Sequence, residues 1–206
     1  MSFWVKQEWA AVTLSRGSQG FGSSVVHGRE NHTINLSSKK ISGLVVSLRE
    51  LSGDNRTTAM FKTALTHPIE KAILSLAHLT KNVEIIRNYE DLAPLNCDPE
   101  ALQHVFSHLI LNGLHAMQHQ GKLEIALKSA GSHVEIQLTD CGCGMPPEVS
   151  SRIFDPFFTT RASGEGGGMG LSIAKKIVEQ HHGRIEVQTA VGVGTTIVLI
   201  LPHADF

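Results

Sequence analysis

Two pairs of short strand-like segments, each joined by a glycine-containing turn, restrict the folds open to this 206-residue chain more than any other feature. Lys122–Lys128 and His133–Thr139 alternate with period two and are joined by Ala130-Gly131-Ser132. Arg184–Gln188 and Thr195–Leu201, the latter apolar from Ile197 onward, make a second hairpin around Gly192-Val193-Gly194. Successive side chains of a strand point to opposite faces, so each segment reads as a half-buried strand and each short glycine-containing connection as a hairpin. Helical patterns lie before and between the hairpins. Asp98-Pro99 is a helix start, with Asp as N-cap and Pro in the first turn, where its missing N–H leaves no bond unmade. From there Leu102, Val105, Phe106, Leu109, Ile110, Leu114 and Met117 recur along one helical face, and the helix is expected to reach about His119 and stop near Gly121. Pro68 opens another helix, with Ile69, Ala72, Ile73, Leu76 and Ala77 on its apolar face. Val83–Ile86 reads as a short strand, and Met169 to about His182 as the last helix. Hairpins interleaved with helices give an α+β class: one mixed sheet with helices packed on one face.

Upstream, residues 1–33 sustain no period and stay unassigned. Ile34, Ile41, Leu44, Val45, Leu48 and Leu51 approximate the stripe of a helix, either a core helix or one that dimerises. Ser52-Gly53-Asp54-Asn55-Arg56 breaks it, which divides the chain into 1–33, a helical piece at 34–53 and a domain at 54–206. The net charge of −1 offers no basic excess for nucleic acid, and no apolar run approaches the roughly 20 residues that cross a bilayer. No membrane insertion by this chain is expected. Three cysteines, an odd number, fit a reducing cytoplasm, and Cys141-x-Cys143 has no downstream partners to complete a zinc site.

Four elements carry chemistry. Asn112 stands on the polar side of the long helix with His104, His108, His115 and His119, and an amide oxygen facing a cleft can ligate Mg²⁺ without adding charge. The alternatives for this face are ordinary surface, or a transition-metal site of His104, His108 and Asn112. Asp140-Cys141-Gly142-Cys143-Gly144-Met145 follows a strand directly; its carboxylate can accept a hydrogen bond from an exocyclic amine, and its glycines let backbone approach a flat ring. Gly164-Glu165-Gly166-Gly167-Gly168-Met169-Gly170-Leu171 opens a helix and offers backbone N–H groups suited to phosphates, or is a plain linker. Ile153-Phe154-Asp155-Pro156-Phe157-Phe158-Thr159-Thr160-Arg161 sets three phenylalanines around a proline. They are expected to be shielded from water, anchoring the root of a lid with Arg161 near the phosphates, or forming a small cluster under a loop.

In this order and spacing, the elements resemble the catalytic ATP-binding domain of sensor histidine kinases. The likeness spans roughly residues 61–202, and the phenylalanine segment with Thr159-Thr160 looks most like the nitrogen-regulation subfamily. The resemblance implies a two-layer α/β sandwich of a mixed five-stranded sheet and about three helices with an ATP lid, preceded by the end of a helical dimerisation and phosphoacceptor region. It implies ATP and Mg²⁺ as ligands, with Asn112 as the metal ligand. Asp140 would bind the adenine amine with Thr195 assisting, and Gly142, Gly144 and Met145 would shape the adenine pocket. Phe154 and His115 would stand near the nucleotide, and Gly166, Gly168, Met169, Gly170 and Leu171 would meet the phosphates. Asn112, His108 and Arg161 form the catalytic group. Implied partners are a second copy, through the upstream helix, and the receiver domain of a response regulator.

Two departures qualify that reading. Relatives usually carry Asn one turn before the metal ligand, and distant ATPase branches place a Glu base there; His108 is neither, which disfavours ATP hydrolysis as the main activity, although an imidazole can act as a base. An acceptor histidine is normally followed by an acid and soon by a proline. Val26-His27-Gly28-Arg29-Glu30-Asn31 lacks both the adjacent acid and the proline, so the acceptor is expected to be missing or degenerate, with His27 the remaining candidate. A nucleotide-binding or dimerising module that transfers no phosphate is therefore the alternative. Serine phosphorylation of a partner shares the same ATP site, and the phenylalanine segment argues against it.

Overall fold

The computed structural model describes residues 60–161 and 167–203. The expected helix at 34–51, His27 and Gly166 lie outside the described residues. In chain order the elements are β1 (Phe61–Thr63), α1 (Thr66–Ser75), β2 (Val83–Tyr89), β3 (Leu95–Cys97), α2 (Pro99–Ala116), β4 (Gly121–Ala130), β5 (His133–Asp140), α3 (Pro147–Ser150), α4 (Gly170–Gln180), β6 (Arg184–Ala190) and β7 (Gly194–Pro202). Five strands form one sheet in the order β2-β4-β5-β7-β6. The β2–β4 pair is parallel and the other three are antiparallel, so the sheet is mixed, as the interleaved pattern requires.

Alternation decides which face is buried. Leu123, Ile125 and Leu127 on β4, Val134, Ile136 and Leu138 on β5, and Ile197, Leu199 and Leu201 on β7 point to one side and are buried with the helices. From α2 they meet Leu102, Val105, Phe106, Leu109, Ile110 and Leu114, and from α4 Ile173, Ala174, Ile177 and Val178. The side chains are almost all aliphatic, and Phe106 is the one ring among the largest fully buried side chains.

Local chemistry places the helix ends. Asp98 caps α2 by accepting from the backbone N–H of Glu100 and Ala101, both at 3.0 Å, with Pro99 in the first turn. The helix stops at Ala116, earlier than its apolar pattern suggests, because Gln118 and His119 adopt φ of 53° and 59°. Met117 remains buried past the end, which is why the periodicity continued through it. The first helix begins two residues before the expected Pro68, which falls in its first turn. A staple joins α4 to α2: the ring of His181 is buried, its Nε2 accepting from the Asp98 N–H at 3.0 Å while its Nδ1 lies 2.8 Å from the Ile177 carbonyl. That carbonyl can only accept, so Nδ1 carries the proton. At the sheet edge Glu70 of α1 receives Arg87 twice, at 2.8 and 3.2 Å, and the Tyr89 hydroxyl at 2.9 Å.

The ribbon of β1 and β3 has no counterpart in the sequence reading. Its strands are three residues each and pair across more than thirty residues of chain, so no local turn announces them.

Candidate functional site

At one end of the sheet, the helix-facing side turns polar. The residues in register across the five strands there are Ile85, Leu123, Asp140, Thr195 and Thr189. The next row inward, Ile125, Leu138, Ile197 and Val187 on β4, β5, β7 and β6, is apolar. Asp140 is half-buried; its carboxyl accepts from the Gly142 N–H at 2.8 Å and from the backbone of Thr195. Burial raises its pKa above the ordinary carboxyl value and outweighs these two bonds, which pull it down. Thr195 is buried, and its hydroxyl lies 3.1 Å from that of Thr189.

Helix α2 stands over this row. Gly113 is buried in it, and a Cβ there would lie 3.4 Å from the Asp140 Cβ and 3.6 Å from Oδ2, so the missing side chain keeps room beside the carboxylate. One residue earlier, Asn112 is half-buried, and its Oδ1 accepts from the Arg161 guanidinium at 2.7 Å. One turn further back His108 lies against the start of α4: a Cβ on Gly170 would be 3.0 Å from its Nδ1. Burial, and secondarily the neighbouring His104, lowers the pKa of His108 below the ordinary imidazole value, so the ring is neutral near pH 7. His115 and His119 meet edge to face, with ring centroids 5.2 Å apart.

The glycine-rich loop after β5 is fastened on four sides. Gly142 N–H bonds Asp140, Cys143 N–H donates to the Ala116 carbonyl at 3.2 Å, Gly192 N–H to the Cys143 carbonyl at 2.8 Å, and Met145 N–H to the Thr189 hydroxyl at 2.9 Å. Its glycines are needed for this docking. A Cβ on Gly142 would come within 2.7 Å of the Ala116 backbone, and one on Gly144, at φ 63°, would collide with the Ala190 carbonyl. Besides the sharp turn and ring approach expected of them, these glycines seat the loop on α2 and on the β6–β7 turn.

The phenylalanine segment departs from expectation. Ile153 is buried, but Phe157 is 60% exposed at φ 66°, and Phe154 and Phe158 are half-buried. Successive tight turns run through this segment, and Phe157 stands at one of them. The other two rings are screened by cations instead, Phe158 by Arg152 at 4.6 Å and Phe154 by Lys175 at 5.8 Å. Gly168, at φ 64°, packs on the Phe157 carbonyl, and Met169 is buried in the core, so a ligand contact at Met169 would come from its backbone. Leu171 packs partly against the same core. Among the described residues, no group of three or more His, Cys, Asp or Glu could hold a metal ion.

The profile of the family described as "Histidine kinase-, DNA gyrase B-, and HSP90-like ATPase" matches residues 97–205, a span that takes in Asn112, Asp140, both glycine-rich loops and Thr195. The chain belongs to this family. Similar proteins include the signal transduction histidine-protein kinase AtoS of Escherichia coli, 36% identical over 63% of this chain and 21% of that protein. The sensor histidine kinase ZraS of Salmonella typhimurium is 39% identical over 55% of this chain and 24% of that protein. The chain thus spans about a quarter or less of the length of these curated relatives. Among solved structures, the catalytic domain of the histidine kinase ThkA is 25% identical with a TM-score of 0.62, over 70% of this chain and 94% of that one. The fold alone is shared with the histidine kinase AdeS of Acinetobacter baumannii, at 16% identity and a TM-score of 0.70 over 90% of this chain and 88% of that one.

As a histidine kinase-, gyrase- and HSP90-like ATPase, the chain carries an ATP-binding fold. The structure brings Asp140, Thr195, Gly142, Gly144 and Met145 together at the sheet end, and Asn112, Arg161 and His108 along α2 beside the start of α4. Two residues escaped the sequence reading: Gly113, hidden in an apolar helix pattern, and Thr189, hidden in an alternating strand.

Proposed function

We propose that the chain is the catalytic module of an ATP-dependent protein histidine kinase in a cytoplasmic two-component system, which moves the γ-phosphoryl of Mg·ATP to a histidine and onward to a response-regulator receiver domain. The observation that carries this reading is the half-buried Asp140 carboxylate, held by Gly142 and Thr195 at the sheet end and given room by Gly113 on the helix that also carries Asn112. Ionised, it only accepts, which suits the amine of adenine.

These residues fit a nucleotide with its metal. Asn112 Oδ1 already holds a cationic group, the Arg161 guanidinium, so its environment suits positive charge. Mg²⁺ bound there would neutralise phosphate charge. Arg161, released from Asn112, would pair with the phosphates, and the N–H groups around Gly168 and Gly170 would receive their oxygens at the start of α4. His108 sits neutral against that helix start and orients it. The protein's contribution is positioning and charge stabilisation. The upstream helix would supply the homodimer, and the phenylalanine segment supports a place near the nitrogen-regulation sensor kinases.

The second reading, a nucleotide-binding module without transfer, is favoured by the lack of an adjacent acid and of a nearby proline after His27. Incubating the full chain with γ-labelled ATP and Mg²⁺, alone and with a separate acceptor domain, decides between them. Acid-labile, alkali-stable label on either polypeptide supports the kinase; bound ATP with no label on either overturns it.

A further inference from the structure

We infer that Thr189 is a specificity-determining positioning residue: by taking up the hydroxyl proton of Thr195, it leaves the sheet end with hydrogen-bond acceptors only, which selects a 6-amino purine over a 6-oxo purine. This rests on the adenine reading of Asp140 given above.

The Thr189 hydroxyl has one hydrogen and two lone pairs. Its Oγ1 lies 3.1 Å from the Gly194 carbonyl, which can only accept, so the hydrogen goes there. The Met145 N–H reaches the same oxygen at 2.9 Å and takes one lone pair. One lone pair is left for the Thr195 hydroxyl at 3.1 Å, and Thr195 must therefore be the donor in that contact. A threonine hydroxyl normally rotates to donate or accept as its neighbour requires. Here the rotation is spent, and Thr195 shows only lone pairs to anything beside it. Asp140 stands opposite Thr195 in the strand register and, ionised, also only accepts. An amine at the purine 6-position is matched by both. A carbonyl there meets lone pairs from both, with no hydroxyl free to turn and rescue it, directly or through a water.

The test is binding of ATP and of inosine triphosphate with Mg²⁺ to the full chain by calorimetry. The two nucleotides differ at the purine 6-position and, with it, at N1, which carries a proton only in the 6-oxo base, so the ratio reads that one edge of the ring. The unmodified protein prefers ATP. Thr189→Val keeps the shape, frees the Thr195 hydroxyl to donate, and narrows the ATP-to-ITP preference about tenfold. Thr189→Ser restores the preference, and Thr189→Val has no further effect on the ratio in a Thr195→Val background. An unchanged ratio in Thr189→Val, an equal narrowing in Thr189→Ser, or full narrowing by Thr189→Val with Thr195 already replaced overturns the inference. Asp140→Asn separates this failure from failure of the adenine reading. If Asp140→Asn narrows the ratio and Thr189→Val does not, only the role of Thr189 falls. If the unmodified chain binds neither nucleotide, or Asp140→Asn leaves the ratio unchanged, both fall.

Discussion

Two neighbouring regions of one sheet face behave in opposite ways. In the inner rows Leu138, Ile197 and Val187, then Ile136, Leu199 and Ile185, lie in register under α2 and α4, and their burial stabilises the fold. One pleat further along the same strands the row is Asp140, Thr195 and Thr189, and burial there holds a carboxylate away from water at a cost. Strand alternation makes both rows face the helices, so the backbone treats them alike and side-chain chemistry alone separates core from site. The border between them is a single step of the pleat.

The largest effect tests the inner side of that border. Leu199 has no exposed surface, and Leu199→Ala is expected to destabilise by about 2–5 kcal/mol in urea unfolding. A loss under about 1 kcal/mol would mean the inner rows do not dominate stability. Next is His181, a polar group placed within the apolar half. His181→Ala leaves the Asp98 N–H without its acceptor and is expected to cost about 1–3 kcal/mol, read in the same unfolding experiment.

On the site side, binding and stability should separate. Asn112→Ala is expected to lower Mg·ATP affinity at least about tenfold while the melting temperature stays within a few degrees. Equal affinity in the variant would remove Asn112 from the site. Asp140→Asn should go the other way in stability. Burial raises the Asp140 pKa in the folded state, so its favourable contribution is complete below about pH 3.9 and is lost as pH rises through the folded value. At pH 7 the neutral amide should therefore melt slightly higher than the carboxylate, by under about 1 kcal/mol after allowance for solvent screening, and bind ATP worse.

The smallest effect belongs to His108. Its folded pKa is depressed, so the stability it contributes is present above about pH 6.5 and is lost as pH falls from there through the folded value. The melting temperature of His108→Gln should decline less than that of the unmodified chain between pH 7.5 and pH 5.5, two values chosen on about one unit either side of the ordinary imidazole pKa. Parallel decline in both proteins would sink the assignment.

Much of this was legible beforehand, for identifiable reasons. The hairpins showed because alternation and glycine turns are local, and Asp98-Pro99 showed because a cap is a matter of three or four adjacent residues. Asn112 and Asp140 are legible from a polar helix face and an Asp-x-Gly-x-Gly string, and Thr195 only through the resemblance to a known family. What the sequence concealed is non-local. The Phe61–Thr63 and Leu95–Cys97 ribbon closes across a long loop, and Thr189 matters only because register sets it beside Thr195. Gly113 looks like a flaw in a helix until Asp140 is seen next to it. The phenylalanines misled because an aromatic cluster reads as core, whereas the turns around Pro156 expose Phe157 and leave cations to cover its neighbours.

The hydrogen bond from Arg161 to Asn112 also sets a threshold. A ligand that needs the Asn112 oxygen must first break a charged contact of 2.7 Å, worth on the order of 1.5–3 kcal/mol. Its apparent affinity is the intrinsic one multiplied by the fraction of molecules in which the oxygen is already free. Under the proposed function, the threshold for ligand at Asn112 would then be set by one arginine, and altering Arg161 would shift it without touching Asp140.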